Sequence, residues 1–305
     1  MANYPSGDFV IQSEVKSAGF VPAVWSDEIV AAYKKNLVVA NLMKKMNFKG
    51  RKGDTVYFPA PVRGTATAKA VETAVTMQQE TGTQITVSID KHYEYSRMIE
   101  DLAEVQALSS LRRFYTDDAG YALATRVDTD LLGLTSKAQG GSGTTAFNAA
   151  VIGGDGATAY VAASDNETAL TDAGIRKIIQ TLDDQDVPMD GRFLVIPPVA
   201  RNTLLGLARF TEQAFVGNGN AISSGNIGNI YGTSVYVSTN CPTASGGARI
   251  AVMAHPEYGV LVEQTGVRVQ TQYKQEYLGT LLTADAIYGV GELRDKSAVA
   301  IAIPA

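Results

Sequence analysis

The hydrophobic pattern changes period twice along the first half of the chain, and those changes sketch an elongated molecule. Residues 55–58, Thr-Val-Tyr-Phe, read as a strand halted by Pro59 and Pro61. Ile85, Val87 and Ile89 alternate with Thr86, Ser88 and Asp90, the two-residue period of a half-buried strand over 83–95. Between them lies a small, polar tip with Val71, Val75 and Met77 as its apolar points. From Met98 the spacing becomes three and four: Leu102, Val105, Leu108, Leu111, Tyr115, Ala119, Leu123, Val127, Leu131 and Leu134 form one stripe. That predicts one long helix over 98–137, or two nearly collinear ones broken at Ser109-Ser110. Roughly 30 residues at 1.5 Å each give a spine of ~45 Å, longer than the ~30 Å of a small domain. An isolated two-stranded arm is marginal in water, so the apolar side of this one needs another surface over it.

The flanking regions follow the same logic. Residues 1–24 are weakly patterned and read as an extended arm. Ser26 is a candidate N-cap, with Asp27 and Glu28 at the positive end of a helix dipole. Ile29, Tyr33, Leu37, Ala40 and Met43 continue that helix, Lys44 and Lys45 occupy its last turn, and Gly50 and Gly53 end the region. After a run of Gly, Ala, Ser and Thr over 140–163, an amphipathic helix is predicted over 167–184 with Leu170, Ile175, Ile178, Ile179 and Leu182 inward. A buried strand at 192–196, a helix at 199–210 and strands at 234–238 and 249–253 come next. A hairpin of 267–275 with 281–290 and a last strand at 298–303 complete a mixed α+β chain. Gly120 and Gly133 each weaken the spine by about 1 kcal/mol relative to alanine, which points to close packing or a bend there.

Composition removes several function classes. The net charge of −5 over 305 residues, with acids and bases interspersed, is not that of an electrostatic nucleic-acid reader. One cysteine, Cys241, leaves no intrachain disulfide. The opening residues lack the basic and apolar regions of a secretory signal, and no stretch approaches the ~18 apolar residues of a membrane span. His92 and His255 have no cysteine partners at zinc spacing, so no metal or other cofactor is expected. Cys241 with His255 as a nucleophilic pair is disfavoured by its loop setting. No phosphate-binding Gly-x-x-x-x-Gly-Lys motif occurs, and Gly154-Asp155-Gly156 lacks a surrounding βαβ unit, so it reads as a flexible loop. The acid pairs Glu100/Asp101, Asp117/Asp118 and Asp183/Asp184 read as solvated faces, and no catalytic residues are assigned.

Read in order, the segments resemble tailed-bacteriophage major capsid proteins. The resemblance is carried by residues 20–26 (Phe-Val-Pro-Ala-Val-Trp-Ser), 35–38, 52–56, the spine at 115–132, 192–198 and 230–238. It implies the Hong Kong 97-type fold. Residues 1–48 would be the N-arm, 49–97 the extended E-loop, and 98–140 with 263–292 the peripheral domain. Residues 141–262 with 293–305 would be the axial domain. It further implies a structural shell protein, not an enzyme, that assembles into hexamers and pentamers around double-stranded DNA. Its partners would be copies of itself, a separate scaffolding protein, a portal and a decoration protein, with no membrane. Its place would be the virion, assembled in the bacterial cytoplasm.

Candidate contacts between subunits are Trp25, Tyr57, Val71, Val75, Met77, Ile85, Val87, Arg112 and Arg113; Gly120 and Gly133 are candidate flexible points. Lys69 has no cross-linking motif around it, so no covalent linkage between subunits is expected. An encapsulin-type compartment shares the implied fold and stays open on sequence, as does a soluble α+β enzyme from another class.

Overall fold

The computed structural model describes residues 9–10, 38–60, 64–75, 77, 82–106, 111–136, 151–161, 166–207, 228–244 and 246–305. The strands are β1 (Phe9–Val10), β2 (Lys44–Asn47), β3 (Thr55–Ala60), β4 (Thr83–Ser88), β5 (Lys91–Glu100), β6 (Val151–Gly153), β7 (Phe193–Ile196), β8 (Asn229–Ile230), β9 (Thr233–Val237), β10 (Arg249–Ala254), β11 (Gly259–Lys274), β12 (Gly279–Glu292) and β13 (Ala298–Ile303). The helices are α1 (Val39–Leu42), α2 (Asp101–Gln106), α3 (Leu111–Gly133), α4 (Asp172–Asp183) and α5 (Pro198–Leu205). They build a six-stranded sheet, β6-β13-β10-β7-β9-β8, a five-stranded sheet, β1-β5-β12-β11-β2, and the two-stranded arm β3-β4.

The six-stranded sheet is buried on both faces, which its sequence encodes. Phe-Leu-Val-Ile in β7 and Ala-Val-Ala-Ile-Ala-Ile in β13 are continuous apolar runs, as expected of strands covered twice. Successive side chains then part to opposite faces. Leu194, Ile196, Ala251, Met253, Val299 and Ile301 pack with Ile175, Ile178 and Leu182 of α4 and with Leu204 of α5. Phe193, Val195, Val252, Ala298, Ala300 and Ala302 join Leu123, Leu131 and Leu132 of α3 and Ala284, Ala286 and Tyr288 of β12. Large branched residues thus face α4, whereas alanines line much of the side shared with the spine. Thr171 caps α4, accepting from the Gly174 N–H at 3.0 Å.

Two expected helical stretches are strands. Met98 and Ile99 belong to β5, which stays paired with β12 to Glu100↔Gly279. A Cβ on Gly279 would lie 2.7 Å from the Ile99 carbonyl oxygen, so the glycine permits that last rung. Described helix starts only at Asp101, whose carboxylate and that of Glu104 sit in the first turn of α2, and α3 runs from Leu111; the expected break at Ser109-Ser110 lies outside the described residues. Lys44 and Lys45, expected in a helix's last turn, lie in β2 and pair in parallel with Val260 and Leu261. Met43 is already extended, and a ladder with a buried strand outweighs local helical spacing. The second strand of the arm also divides. Ile89 and Asp90 carry the chain from the arm into the five-stranded sheet, with the Ile89 N–H donating to the Asp54 carbonyl at 2.7 Å. The hairpin is longer than its sequence pattern, 16 residues in β11 and 14 in β12. The limits drawn at 97/98 and 262/263 fall inside β5 and β11, and β2 sits in the five-stranded sheet.

Candidate assembly surfaces

The arm is a ladder from Thr55↔Ser88 to Ala60↔Thr83. Its root lies on β12, where two glycines make room: a Cβ on Gly291 would meet Val87 Cγ2 at 2.4 Å, and one on Gly289 would meet the Ser88 carbonyl oxygen at 2.4 Å. Val87, expected to contact another subunit, is therefore covered within its own chain by Val260 and Val262, with Ile89, Val56 and Phe58 around them. Ile85 is half-buried. The tip has no such cover: Val71, Val75 and Met77 are 91%, 71% and 93% exposed. Tyr57 also faces solvent. Transferring apolar surface out of water is favourable, so covering these three side chains would be stabilising. Beneath the root, a groove of about 670 Å³ runs between Phe58, Pro59 and Ile85 of the arm and residues 185–188 and 293–297.

The spine joins the five-stranded sheet through polar tips that the sequence pattern hid. Tyr93 and Tyr95 share one face of β5. The Tyr95 hydroxyl donates to Asp118 at 2.9 Å, and Arg126 donates to the Tyr93 hydroxyl at 2.9 Å. Tyr288 on β12 donates to Asp130 at 2.9 Å, and Lys91 stands 3.6 Å from the same carboxylate. Burial, with Asp130 beside it, pushes the Tyr288 phenol up. Asp118 is therefore no simply solvated acid. The signal available in sequence was the two-residue spacing of the tyrosines opposite a helix with acids at 118 and 130.

Asp128 is fully buried and was not singled out by sequence. Its two oxygens accept from the Val39 N–H at 2.9 Å and from Asn240 Nδ2 at 3.0 Å, tying α1, α3 and the loop after β9 together. Arg112 and Arg113 are exposed near the start of α3. Among the described residues, added Cβ atoms on Gly120 and Gly133 would meet no heavy atom within 4 Å beyond the helix's own backbone, so packing between these residues does not explain the two glycines. Trp25 lies outside the described residues.

The remaining chemical candidates are absorbed by structure. His92 Nε2 is 3.2 Å from Asp285, which Arg268 grips with two bonds of 2.7 and 2.8 Å. That guanidinium, helped by His92, holds the Asp285 carboxyl below its usual value. Cys241 is 2% exposed, and burial pushes its thiol up to about 12, the opposite of an activated nucleophile. The turn at Gly154-Asp155-Gly156 is packed, not open: Asp155 accepts from the Thr158 hydroxyl and from the N–H groups of Ala157 and Thr158. Thr158 above all lowers the Asp155 carboxyl to about 2. Among the described residues no group of three or more His, Cys, Asp or Glu could hold a metal ion.

The described residues thus form a layered α+β body with a two-stranded arm whose apolar tip is exposed. The phage capsid protein family matches residues 84–302. The chain belongs to that family. Comparison with curated proteins finds no match. Among solved structures, a chain from Mycobacterium phage Che8 is 22% identical, with a TM-score of 0.74 over 92% of this chain and 97% of that one. The capsid structure of cyanophage P-SCSP1u aligns at 0.74 with 16% identity over 99% of both chains. The capsid asymmetric unit of cyanophage Pam1 aligns at 0.71 with 12% identity over 92% and 95%. At such identities the structural likeness establishes the fold, and the family match establishes that this is a capsid protein with a structural role.

Proposed function

We propose that this capsid protein assembles into hexamers and pentamers that close an icosahedral shell around packaged double-stranded DNA, in the Hong Kong 97-type arrangement. The observation that carries the reading is the family match across both sheets and the spine, residues 84–302. The arm supports it: the ladder β3-β4 would be the E-loop, with Val71, Val75 and Met77 laid on an adjacent subunit. The five-stranded sheet and α3 would form the peripheral domain, and the six-stranded sheet with α4 and α5 the axial domain. Interfaces of modest strength suffice, because each contact raises the effective concentration for the next. A separate scaffolding protein would set shell size, a portal would occupy one vertex, and a decoration protein would bind outside. Contact with DNA would be non-specific, on the inner wall, and assembly would take place in the bacterial cytoplasm.

Electron microscopy of the purified full chain tests the reading. Closed shells or ring-shaped capsomers are expected, and a featureless particle of 32.3 kDa under all conditions refutes it.

A further inference from the structure

Acids and bases are interspersed along most of the chain, and one short segment departs from that pattern. Residues 44–52, Lys-Lys-Met-Asn-Phe-Lys-Gly-Arg-Lys, hold five cations and no carboxylate. Taking those five from the net charge of −5 leaves −10 for the rest of the chain. A concentrated basic segment is the local footprint of a polyanion contact, whatever the total charge of the protein around it.

The fold fixes this segment and leaves its charges in water. Lys44 and Lys45 lie in β2, paired with Val260 and Leu261. Beyond β2 the chain turns: the Arg51 N–H donates to the Phe48 carbonyl at 3.2 Å, with Gly50 between them at a φ of 77°. Phe48 anchors the turn. Its N–H donates to the Glu263 carbonyl at 2.8 Å, and its ring packs against the cluster of Val87, Val260 and Val262. Gln264 Nε2 donates to the Arg51 and Gly53 carbonyls at 3.4 and 3.2 Å, so two oxygens that would repel an anion are occupied. Lys44, Lys45, Lys49, Arg51 and Lys52 are all exposed. Among the described residues none of the five joins an ion pair, even with Asp54 or Glu263 close by in the chain and the sheet. Lysines on an edge strand also guard it against further pairing, which accounts for Lys44 and Lys45. Lys49, Arg51 and Lys52 lie past the strand and have no edge to guard.

We infer that residues 44–52 are where this shell protein touches the phosphate backbone of duplex DNA, with Lys49, Arg51 and Lys52 of the turn as the main contacts. Duplex DNA carries one negative charge per ~1.7 Å of its axis, so flexible cations find phosphates in any register and need no shaped pocket. An acidic polypeptide would be held chiefly by buried apolar anchors. The segment offers none, because Met46 and Phe48 are spent on their own chain's cluster. The contact carries no sequence preference, since nothing in it reads base edges. The inference rests on the shell reading, which supplies the DNA.

Fluorescence anisotropy of the full, unassembled chain with a labelled duplex of about 30 base pairs tests it, read from about 50 to about 200 mM salt. Each phosphate neutralised steepens the fall of log affinity with log salt by ~0.9, so five cations give a slope no steeper than about −4.5. Lys49→Gln with Arg51→Gln and Lys52→Gln should flatten the slope by about 2.7 and weaken binding at the lower salt tenfold or more. All three sites are exposed, so the unfolding temperature should not move. Lys49→Arg with Lys52→Arg should bind as the parent does. Lys177→Gln with Lys274→Gln, on α4 and at the far end of β11, should change neither slope nor affinity. A triple variant that binds like its parent, a parent that does not bind, or a parent that prefers polyglutamate to the duplex overturns the inference.

A second test needs no substitution. In DNA-filled shells Lys49 and Lys52 should resist acetylation by a small amine reagent that modifies them in emptied shells of the same form. Equal labelling in both overturns the inference. A chain that binds the duplex as expected yet forms no shells under any condition overturns the shell reading instead, so the two failures are told apart.

Discussion

Two glycine-to-alanine exchanges in helices should shift stability in opposite directions, because one glycine is enclosed by backbone and the other faces open space. Gly174 is in the first turn of α4, where alanine would normally be preferred by about 1 kcal/mol. Its Cβ would lie 1.9 Å from the Gly154 carbonyl oxygen and 2.9 Å from the carbonyl carbons of Gly154 and Asp155. The turn cannot easily withdraw. The Gly154 oxygen accepts from the Thr171 N–H at 3.1 Å, the Gly154 N–H donates to the Thr168 carbonyl at 3.2 Å, and a Cβ on Gly154 would itself stand 2.5 Å from that carbonyl. Overpacking costs ~1–3 kcal/mol and loss of the Thr171 bond ~1 kcal/mol, against the ~1 kcal/mol gained in helix propensity. Gly174→Ala should therefore destabilise by about 1–3 kcal/mol, a fall in Tm of roughly 2–5 °C. Among the described residues Gly120→Ala meets nothing within 4 Å beyond its own helix, and it should stabilise by up to ~1 kcal/mol. Thermal unfolding followed by circular dichroism, with all three chains in the same assembly state, reads both. A Gly174→Ala chain as stable as its parent, or both variants moving the same way, would refute the packing argument. If Gly120→Ala raises Tm yet lowers shell yield, the open face of the spine at Gly120 is in contact with a neighbouring subunit.

Other outcomes follow from single side chains. Asp155 has a folded carboxyl near 2 against an ordinary 3.8, so its contribution is complete above about pH 4 and disappears as pH falls through 2. The stability gap between parent and Asp155→Ala should accordingly be constant near neutrality and close across that window in acid titrations; a gap independent of pH down to 2 would count against it. Asp128→Ala strands the Val39 N–H and the Asn240 amide in a buried site, at a cost of ~2–3 kcal/mol in denaturant unfolding, and a loss below ~0.5 kcal/mol would show that these bonds carry little. Met77→Asp with Val75→Asp should leave the unfolding temperature of the unassembled chain unchanged while shell yield drops. Normal shells from this double variant would remove the tip from the interface.

The sequence alone determined the parts governed by local periodicity and by runs of apolar residues. The strands at 193–196, 249–254 and 298–303, the inward face of α4 and the second half of the spine stripe, Ala119 to Leu134, are all where the pattern put them. Only the tertiary structure decided the elements whose local signals were ambiguous. Met98 and Lys44 sit in helix-like spacing, yet each is claimed by a strand partner far along the chain, at Leu281 and Val260. Val87 was legible as apolar and buried, but not as buried by its own β11 and β12, because glycines at 289 and 291 announce a close approach without naming what approaches. Asp128 was invisible for a similar reason: a carboxylate on a helix reads as solvated until the fold brings Val39 and Asn240 to it. Periodicity records which face of an element is turned inward. Which surface meets that face depends on pairings between distant segments, and here only the folded chain supplies them.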